Sequence, residues 1–565
     1  MNYKSELAML LAKEISLAAP EIEEMLETPP DPEMGDFALP CFKLAKTLRM
    51  APPKIAADLL AKFQKPEFIS DVQIAGGYLN FFVDKRFFAA HTLAAVQQKK
   101  ERYGSSDMGA GRAVTIDYSS INIAKPFHIG HLSSTAIGHA LYNIYNFLGF
   151  KCVGINHLGD WGTQFGKLIA AYKRWGNKED VAARSIQALL ELYVRFHEEA
   201  KADPALDEEG RAWFKKIEDG DQEALQIFDW FKALTLREVA KVYDLLGIKF
   251  DSYNGEAFYN DKMQPVIDDL REKNLLEESD GAQIVRLDDY DLPPCLILRS
   301  DGATLYATRD LAAAFYRKKT YDFYKNLYVV AYQQNLHFRQ LFKVLELMGA
   351  DFAKDCVHVA FGMVSLADGT LSTREGRVVF LEDVLKSAIE KTRSVIDEKN
   401  PELENKDEVS RQIGVGAVVF SVLQASRIKD ITFDLDRLLN FDGETGPYVQ
   451  YTHARACSLL RRSAGSYDTA PDYRALDCPQ AFAVLRLIEE FPETVQKAAE
   501  KYEPFMVTRQ VVALAQAFNK FYYDIRILDE QDKAGTAARL ELVDATRTVI
   551  KTGLGLIGIE APERM

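Results

Sequence analysis

A strand, a turn that carries two histidines and a helix follow one another directly between residues 113 and 148. The apolar, β-branched run 113–118 is typical of a buried strand. Apolar residues then recur at helical spacing on one face: Ile137, Leu141, Ile144 and Leu148. Strand, turn and helix in this order form the unit of an α/β sheet, so the chain is predicted to contain a parallel sheet with helical crossovers.

The turn has the features of a phosphate site. Gly130 has no side chain to block the approach of a ligand to the backbone. A helix that begins near His131 offers free N–H groups and the positive end of its dipole, and His128 and His131 would flank a triphosphate. An isolated pair of histidines near a helix start is more often a capping or packing pair, so the neighbouring residues must decide between the two interpretations.

The longer tract 117–131 favours the nucleotide interpretation. His128-Ile-Gly-His131 resembles the first signature of class I aminoacyl-tRNA synthetases, and residues 119–127 are similar to the longer form found in arginyl-tRNA synthetases. The resemblance implies that His128, Gly130 and His131 bind ATP and that the two histidines take part in catalysis.

A glycine-rich tract, 156–166, follows the next predicted strand, 151–155. It would lie at the carboxyl edge of the sheet, where α/β folds bind ligands. By itself this tract could equally be a plain connection. Beside the first tract it resembles the adenylate site of the same family, which implies that Asp160 contacts ATP.

Tyr306 and Asp310 lie four residues apart, so a phenol and a carboxylate can face one pocket from one turn of a helix. A carboxylate suits a guanidinium, whose planar fork of donors forms strong charge-assisted bonds, although a surface pair is the alternative. The resemblance implies a set of arginine-binding residues: Asp117, Ser119, Asn122, Tyr306, Asp310 and Gln334. Gln333 could take the role of Gln334. Asp117 is shorter than the glutamate of some members, so its contact is expected to run through the backbone amine or a water.

Residues 369–376 resemble the second class I signature in a degenerate arginyl form that lacks both lysines. A polar loop bounded by glycines is the alternative. A cation must still balance the pyrophosphate, and the family pattern points to Lys125, with Arg374 in support. Ser372 is expected to take part in catalysis and Thr373 to bind ATP.

Two regions are expected to contact RNA. Residues 441–462 mix arginines with aromatic residues, a combination that stacks bases and meets phosphates, although a solvated face is the alternative. This tract resembles the start of the anticodon-binding domain of arginyl-tRNA synthetases, and 559–565 resembles their terminus. By the same resemblance, Tyr78 and Asn80 match positions that read the D-loop of the tRNA. Packing of these two side chains in the core of the N-terminal module is the alternative. The full expected set is Tyr78, Asn80, Tyr448, Tyr451, Arg455 and Met565, with His453 among the interleaved aromatic rings.

Composition limits the remaining classes. With 83 acidic against 69 basic residues the net charge is -14, so RNA must be met by local basic patches. The 6 cysteines are scattered singly, which argues against a zinc site or a disulfide framework and for a reducing compartment. The sequence has no recognisable signal peptide or membrane-spanning run, so we expect a cytoplasmic protein without membrane contact, and a monomer.

The length of 565 residues predicts a multidomain fold. We expect an N-terminal α+β module at 1–108, an α/β Rossmann-type class I catalytic domain at 109–440 with a helical insertion at about 167–300, and an all-α anticodon-binding bundle at 441–565. The resemblance to bacterial-type arginyl-tRNA synthetases implies that the chain activates L-arginine with ATP and Mg2+ and transfers it to tRNA(Arg). It also implies that the activation step requires bound tRNA. Another class I synthetase and a non-catalytic tRNA-binding relative are the alternatives.

Overall fold

The computed structural model describes residues 3–123, 125, 127–299, 306–366, 379–440, 443–463 and 469–565. The chain divides into two compact units, each built from separate stretches of sequence. The first comprises Met1–Lys100, Leu459–Glu489 and Ala517–Thr546, and the second comprises Glu101–Ser458, Glu490–Gln516 and Arg547–Met565.

The N-terminal part of the first unit is an α+β module. Its elements are α1 (Tyr3–Ala12), α2 (Ala19–Met25), β1 (Phe37–Pro40), α3 (Ala45–Leu48), α4 (Pro52–Lys62), β2 (Ile69–Ala75), β3 (Tyr78–Val83) and α5 (Lys85–Lys99). β3 is the central strand of an antiparallel sheet of order β1-β3-β2. Gly35 precedes β1 with a φ of 102°, and a Cβ at this position would lie 2.9 Å from the carbonyl oxygen of Phe81. The turn into the sheet therefore requires glycine.

The second unit contains the expected strand, turn and helix. The four apolar residues predicted at helical spacing are all buried. The elements up to the end of the insertion are β4 (Ala113–Asp117), α6 (Leu132–Phe147), β5 (Lys151–Ile155), α7 (Thr163–Trp175), α8 (Lys178–Arg184), α9 (Ile186–Ala202), α10 (Ala205–Glu218), α11 (Gln222–Leu246), α12 (Met263–Glu272), β6 (Leu276–Ser279), β7 (Ala282–Val285) and β8 (Cys295–Leu298). The last three strands form a small antiparallel sheet.

The chain then returns to the parallel sheet. The elements are α13 (Tyr306–Tyr321), β9 (Lys325–Tyr328), α14 (Asn335–Leu347), β10 (Cys356–His358), β11 (Val364–Leu366), α15 (Leu381–Lys399), α16 (Lys406–Leu423), β12 (Ile431–Phe433) and α17 (Leu435–Leu438). The parallel sheet has the order β10-β9-β4-β5. Asp117 ends β4 opposite Ile155 of β5 and Tyr328 of β9, so three carboxyl ends meet at one edge.

A hydrophobic cluster fixes the two helices that flank this edge. Leu311 of α13, Tyr328 of β9 and Leu341 of α14 belong to the same cluster of buried side chains. Packing of this kind is close to that of a solid, so the first turns of α13 and α14 are held beside the strand ends.

Long helices complete the chain, as the sequence predicted. They are α18 (Gly446–Ser463), α19 (Pro479–Glu500), α20 (Phe505–Asp524) and α21 (Lys533–Leu556). Among the described residues, no helix combines the length and the apolar content that are needed to cross a membrane.

Candidate active site

The two glycine-bearing tracts predicted to bind nucleotide lie side by side. The backbone N–H of Gly159 donates to the carbonyl of Ile121 at 2.8 Å, and that of Ile123 donates to the carbonyl of Gly159 at 3.1 Å. A Cβ on Gly159 would come within 2.3 Å of Oδ1 of Asn122. The exposed Asn122 is therefore held at the sheet edge by a contact that only glycine permits.

The turn after β4 is held in an uncommon backbone conformation. Ser119 and Ser120 have φ values of 67° and 41°. The N–H of Ser119 donates to Oγ of Ser134 at 3.0 Å, and its hydroxyl lies 2.9 Å from that of Thr135 and 2.7 Å from that of Tyr243. The hydroxyl of Ser119 is thus engaged within the protein, and its contact with arginine stays a prediction.

The two signature histidines face one another across the turn. Nδ1 of His128 accepts the backbone N–H of Gly130 at 3.1 Å, whereas Nδ1 of His131 lies 3.3 Å from both the backbone nitrogen and the carbonyl oxygen of His128. Burial, aided by the charge of Lys125, lowers the pKa of His128 to about 4, and burial with the neighbouring His128 lowers that of His131 to about 3. Both rings are therefore neutral near pH 7. Because Nδ1 of His128 is an acceptor, its Nε2 carries the proton and is a donor, whereas Nδ1 of His131 has a donor and an acceptor at equal distance.

The second signature is joined to the histidines through its downstream flank. Ser372, Thr373 and Arg374 lie outside the described residues, so their predicted roles stay predictions. The next described residues pair with the histidine tract: the N–H of Ile129 donates to the carbonyl of Val379 at 3.1 Å, and the N–H of Leu381 donates to that of Phe127 at 2.9 Å. This pairing places residues 379–381 beside the histidine tract.

The predicted arginine pocket is built where α13 and α14 begin. Tyr306 is 63% exposed at the start of α13, and Asp310 follows one turn later. Nε2 of His337, on α14, lies 2.6 Å from Oδ2 of Asp310. Burial would raise the pKa of Asp310, but the hydrogen bond and charge of His337 bring it below its ordinary value. Gln334 is exposed in the turn that precedes α14.

Asp117 is engaged by other protein groups. Its Oδ2 accepts Nη2 of Arg317 at 2.6 Å, and its Oδ1 accepts the hydroxyl of Ser120 at 2.6 Å. The guanidinium of Arg317 also lies 5.3 Å from the centre of the Tyr328 ring, within the range of a cation–π contact. Both oxygens of Asp117 therefore have partners, and Oδ2 of Asp310 is engaged by His337.

The carboxylate of Asp160 is bonded to other groups of the protein. It is buried, Oδ2 accepts Nζ of Lys232 at 2.6 Å, and Oδ1 accepts the backbone N–H of Ala257 at 2.9 Å. Lys232 belongs to α11, so these bonds tie the helical insertion to the second glycine-bearing tract. The contact of Asp160 with ATP stays a prediction.

Sequence reasoning missed several side chains of this pocket. They are Ser120, His157, Glu256, Arg317 and His337. His157 lies in the glycine-rich tract 156–166, and its buried Nδ1 has no hydrogen-bond partner in the described part of the chain. Arg317 is seven residues after Asp310, close to two helical turns, and that spacing was the available signal. The partners themselves could not be read from one sequence.

Among the described residues, no group of three or more His, Cys, Asp or Glu side chains is arranged to hold a metal ion. At the histidine turn the backbone N–H groups of residues 128–131 each have an acceptor within the protein, which differs from the expectation of free N–H groups there.

Comparisons with known proteins agree with this geometry. Residues 92–435 match the catalytic domain of class I tRNA synthetases of the arginine (R) group, residues 449–565 match the DALR anticodon binding domain, and residues 2–83 match the arginyl tRNA synthetase N terminal domain. The arginine–tRNA ligase of Clostridioides difficile is 54% identical over 565 residues, and that of Halothermothrix orenii is 53% identical over 566. Both alignments cover 100% of this chain and 100% of the relative.

The chain belongs to the arginyl-tRNA synthetase family.

Solved structures of the family share its fold. Thermus thermophilus arginyl-tRNA synthetase superposes with a TM-score of 0.81 at 25% identity, over 100% of this chain and 99% of that one. The Plasmodium falciparum enzyme gives 0.79 at 22% identity, over 100% and 98% of the two chains. The predicted fold class, with an N-terminal module, a class I catalytic domain and a helical C-terminal domain, is confirmed.

The N-terminal domain of this family member exposes one of its two predicted tRNA contacts. Tyr78 is 36% exposed and packs edge-on against Phe42, whose ring centre is 5.5 Å away. Asn80 lies two residues further along β3 and is only 4% exposed. Tyr78 therefore presents an aromatic surface, and a tRNA contact for either residue stays a prediction.

Helix α18 presents part of the predicted anticodon-binding tract. Tyr448 is partly buried, Tyr451 is exposed, and the guanidinium of Arg455 lies 4.9 Å from the centre of the Tyr451 ring. The expectation for His453 was wrong, because this side chain is wholly buried and its Nδ1 lies 2.9 Å from the carbonyl of Pro562. His453 is two residues from Tyr451, about 200° around the helix, and so faces the opposite way.

Met565 ends the chain against α15 and α16. Its side chain packs on a cluster of buried apolar residues, and its carbonyl accepts Nδ2 of Asn400 at 3.2 Å. The terminal residues are therefore held in place by the second unit, and their contact with tRNA stays a prediction.

Proposed function

We propose that this chain is an arginine–tRNA ligase that activates L-arginine with ATP and transfers it to the 3' end of tRNA(Arg). Family membership supports the proposal. The observation that carries it is the presence of two features on elements that follow or precede neighbouring strands of one parallel sheet: two neutral histidines in the turn after β4, and a carboxylate, Asp310, near the start of α13 and bonded to His337 of α14. The first suits a triphosphate and the second a guanidinium.

In the first step a carboxylate oxygen of arginine attacks the α-phosphorus of ATP, and pyrophosphate leaves. No protein nucleophile is needed, because positioning and charge stabilisation supply the acceleration of a phosphoryl-centred displacement. His128 and His131 would donate Nε2–H bonds to phosphate oxygens. Their lowered pKa values favour this role, since a neutral ring that carries its proton on Nε2 donates without a protonation step.

Arginine would be recognised by a guanidinium contact to Asp310. Tyr306 lies one turn before Asp310, Gln334 is exposed in the turn before α14, and Asn122 is exposed at the sheet edge. Asp117 would act indirectly, because its oxygens are already paired. In the second step a terminal ribose hydroxyl of the tRNA attacks the carbonyl of arginyl-adenylate, and AMP leaves.

Charge on the pyrophosphate would be balanced by Lys125 and Arg374, with Ser372 and Thr373 at the phosphates. Lys125 lies near enough to the histidines that its charge depresses their pKa values, which supports its place beside the triphosphate. Mg2+ would enter on the phosphates of ATP, as it commonly does, and would neutralise part of their charge.

The tRNA would contact Tyr78, Asn80, Tyr448, Tyr451, Arg455 and Met565. The exposed rings of Tyr78 and Tyr451 and the neighbouring Arg455 support base stacking and phosphate contact. The proposal includes the domain limits 1–108, 109–440 and 441–565, activation that depends on tRNA, a monomer and a cytoplasmic location.

ATP–pyrophosphate exchange tests the proposal directly. The purified chain is assayed with arginine, lysine, cysteine or glutamate, each with and without tRNA. We expect exchange with arginine in the presence of tRNA, followed by charging of tRNA(Arg). Exchange with one of the other amino acids would identify another class I synthetase, and tRNA binding without any exchange would identify a non-catalytic relative.

A further inference from the structure

The two aspartates that are predicted to bind arginine, Asp117 and Asp310, each already have a basic side chain of the protein beside them. Asp117 is paired with Arg317 at 2.6 Å between Oδ2 and Nη2. Asp310 is paired with His337 at 2.6 Å between Oδ2 and Nε2. A substrate guanidinium that binds a carboxylate here brings a further positive charge. One existing cation must therefore share its carboxylate or lose its charge.

The two pairs differ in chemistry and in exposure. Arginine keeps its charge in proteins, whereas imidazole can release a proton near neutral pH. The side chains of Arg317 and Asp117 are 1% and 7% exposed, whereas those of His337 and Asp310 are 24% and 26% exposed. Of the two pairs, the second has both a carboxylate that a ligand can reach and a partner that can become neutral.

We propose that His337 is the exchangeable counter-ion of Asp310, holding the carboxylate as an imidazolium and releasing one proton when the substrate guanidinium binds. The inference rests on the proposed function and deepens it, because it couples arginine recognition to a proton. His337 acts through Asp310 and is therefore a positioning residue.

The charges balance in this step. Imidazolium and carboxylate sum to zero before arginine binds, and guanidinium and carboxylate sum to zero afterwards. The proton leaves Nδ1 of His337 for solvent, while Nε2–H continues to donate to Oδ2 of Asp310. If the proton stayed, two cations would repel each other across one carboxylate, which is the arrangement that lowers the pKa of a base.

Among the described groups around the pair, two are candidates for titration near neutral pH. Burial by itself would lower the pKa of His337, but the hydrogen bond and charge of Asp310 raise it above its ordinary value. Burial lowers the pKa of His157, after β5, and of His358, on β10, so both lose their proton at a lower pH than an ordinary imidazole. Burial raises the pKa of Glu256, which senses the charge of Asp310, to about 7. Glu256 is therefore the competing explanation that an experiment must separate.

The expected pH dependence follows from the sign of the shift. The pKa of His337 is raised in the free enzyme, and bound arginine lowers it. Affinity for arginine should thus rise with pH between these two values and level off above the higher one. For one proton the limiting slope is about tenfold per pH unit.

The test is kcat/KM for arginine in tRNA charging between pH 5.5 and 8.5, with kcat/KM for ATP at saturating arginine as the internal reference. The wild-type ratio of the two should rise by up to about tenfold per pH unit and then level off. His337→Gln keeps a neutral donor near the Nε2 position and should flatten the ratio. His358→Gln, a matched change at a histidine whose Nε2 lies 2.9 Å from the carbonyl of Val330, should keep the wild-type slope.

Two outcomes would overturn the proposal: a flat wild-type ratio, and a His337→Gln ratio that keeps the wild-type slope. If the slope is kept in His337→Gln and lost in Glu256→Gln, Glu256 is the titrating group. A partial folding defect in His337→Gln would lower both kcat/KM values by the same factor and cancel in their ratio, so the slope still decides. Failure to charge tRNA(Arg) at any pH would instead refute the proposed function.

Discussion

Replacing Arg317 by methionine should destabilise the second unit far more than removing both members of the Asp117–Arg317 pair. The two side chains are 1% and 7% exposed and meet at 2.6 Å. At an effective dielectric of about 20, unit charges about 4 Å apart attract by about 4 kcal/mol. Losing one partner also strands the other charge out of water, and breaking a buried pair costs about 3–5 kcal/mol.

The chain offers a built-in probe for this measurement. Its 4 tryptophans are Trp161, Trp175, Trp213 and Trp230, and all of them lie in the second unit. Urea unfolding followed by tryptophan fluorescence therefore reports on the unit that contains the pair. With a slope of about 3 kcal/mol per M, Arg317→Met should lower the midpoint by at least about 1 M.

A double-mutant cycle separates the pair from other effects of the substitution. Asp117→Asn alone strands Arg317 and should also be costly, whereas the double variant Asp117→Asn, Arg317→Met removes both charges and should recover most of the loss. Replacing a buried pair by neutral groups is often close to neutral for stability. Additive losses in the double variant, or a loss below about 1 kcal/mol in both single variants, would contradict the assignment of a coupled buried pair.

Three further predictions concern activity. His128→Ala and His131→Ala should each slow arginine activation about a hundredfold, the effect of about 3 kcal/mol of lost transition-state stabilisation, with little change in tRNA affinity; unchanged exchange rates would contradict their role at the phosphates. Lys125→Ala should slow adenylate formation and leave KM for arginine nearly intact, while Lys151→Ala, at the exposed start of β5, should not; a raised KM with an unchanged rate would exclude the phosphate role. Asp310→Ala should raise KM for arginine steeply and reduce the preference over lysine, and an unchanged preference would refute this account of specificity.

Short-range patterns carried most of what the sequence could predict. The β4–α6 unit follows from a β-branched run and from apolar residues at helical spacing, and both are local in the chain. The two glycine-bearing tracts could be placed at one edge because carboxyl ends of parallel strands meet there. The strands β10, β11 and β12 have only three residues each, too few for a periodic pattern to stand out.

The partners of the site residues could not be predicted in the same way. Asp117 and Arg317 are 200 residues apart in the chain, and Asp310 and His337 are 27 apart on different helices. A single sequence shows that each residue can form an ion pair, but the choice of partner is made by packing. The partner of Asp160 could not be predicted for the same reason, because Lys232 lies on a helix of the insertion, far away in the chain.

The pairing of these charges bears directly on how the pocket can choose arginine over lysine. If both carboxylates were unpaired, any cation would bind strongly, and the point charge of an ammonium would serve nearly as well as a guanidinium. Arg317 engages Asp117, and His337 engages Asp310. A ligand that breaks one of these contacts must therefore form bonds of comparable strength in its place. A guanidinium offers a planar fork of donors to the acceptors of the pocket, whereas an ammonium of a shorter side chain leaves some of them unpaired. Polar mismatches of that kind can discriminate by about 10⁴ to 10⁵, so selection at this one site is sufficient.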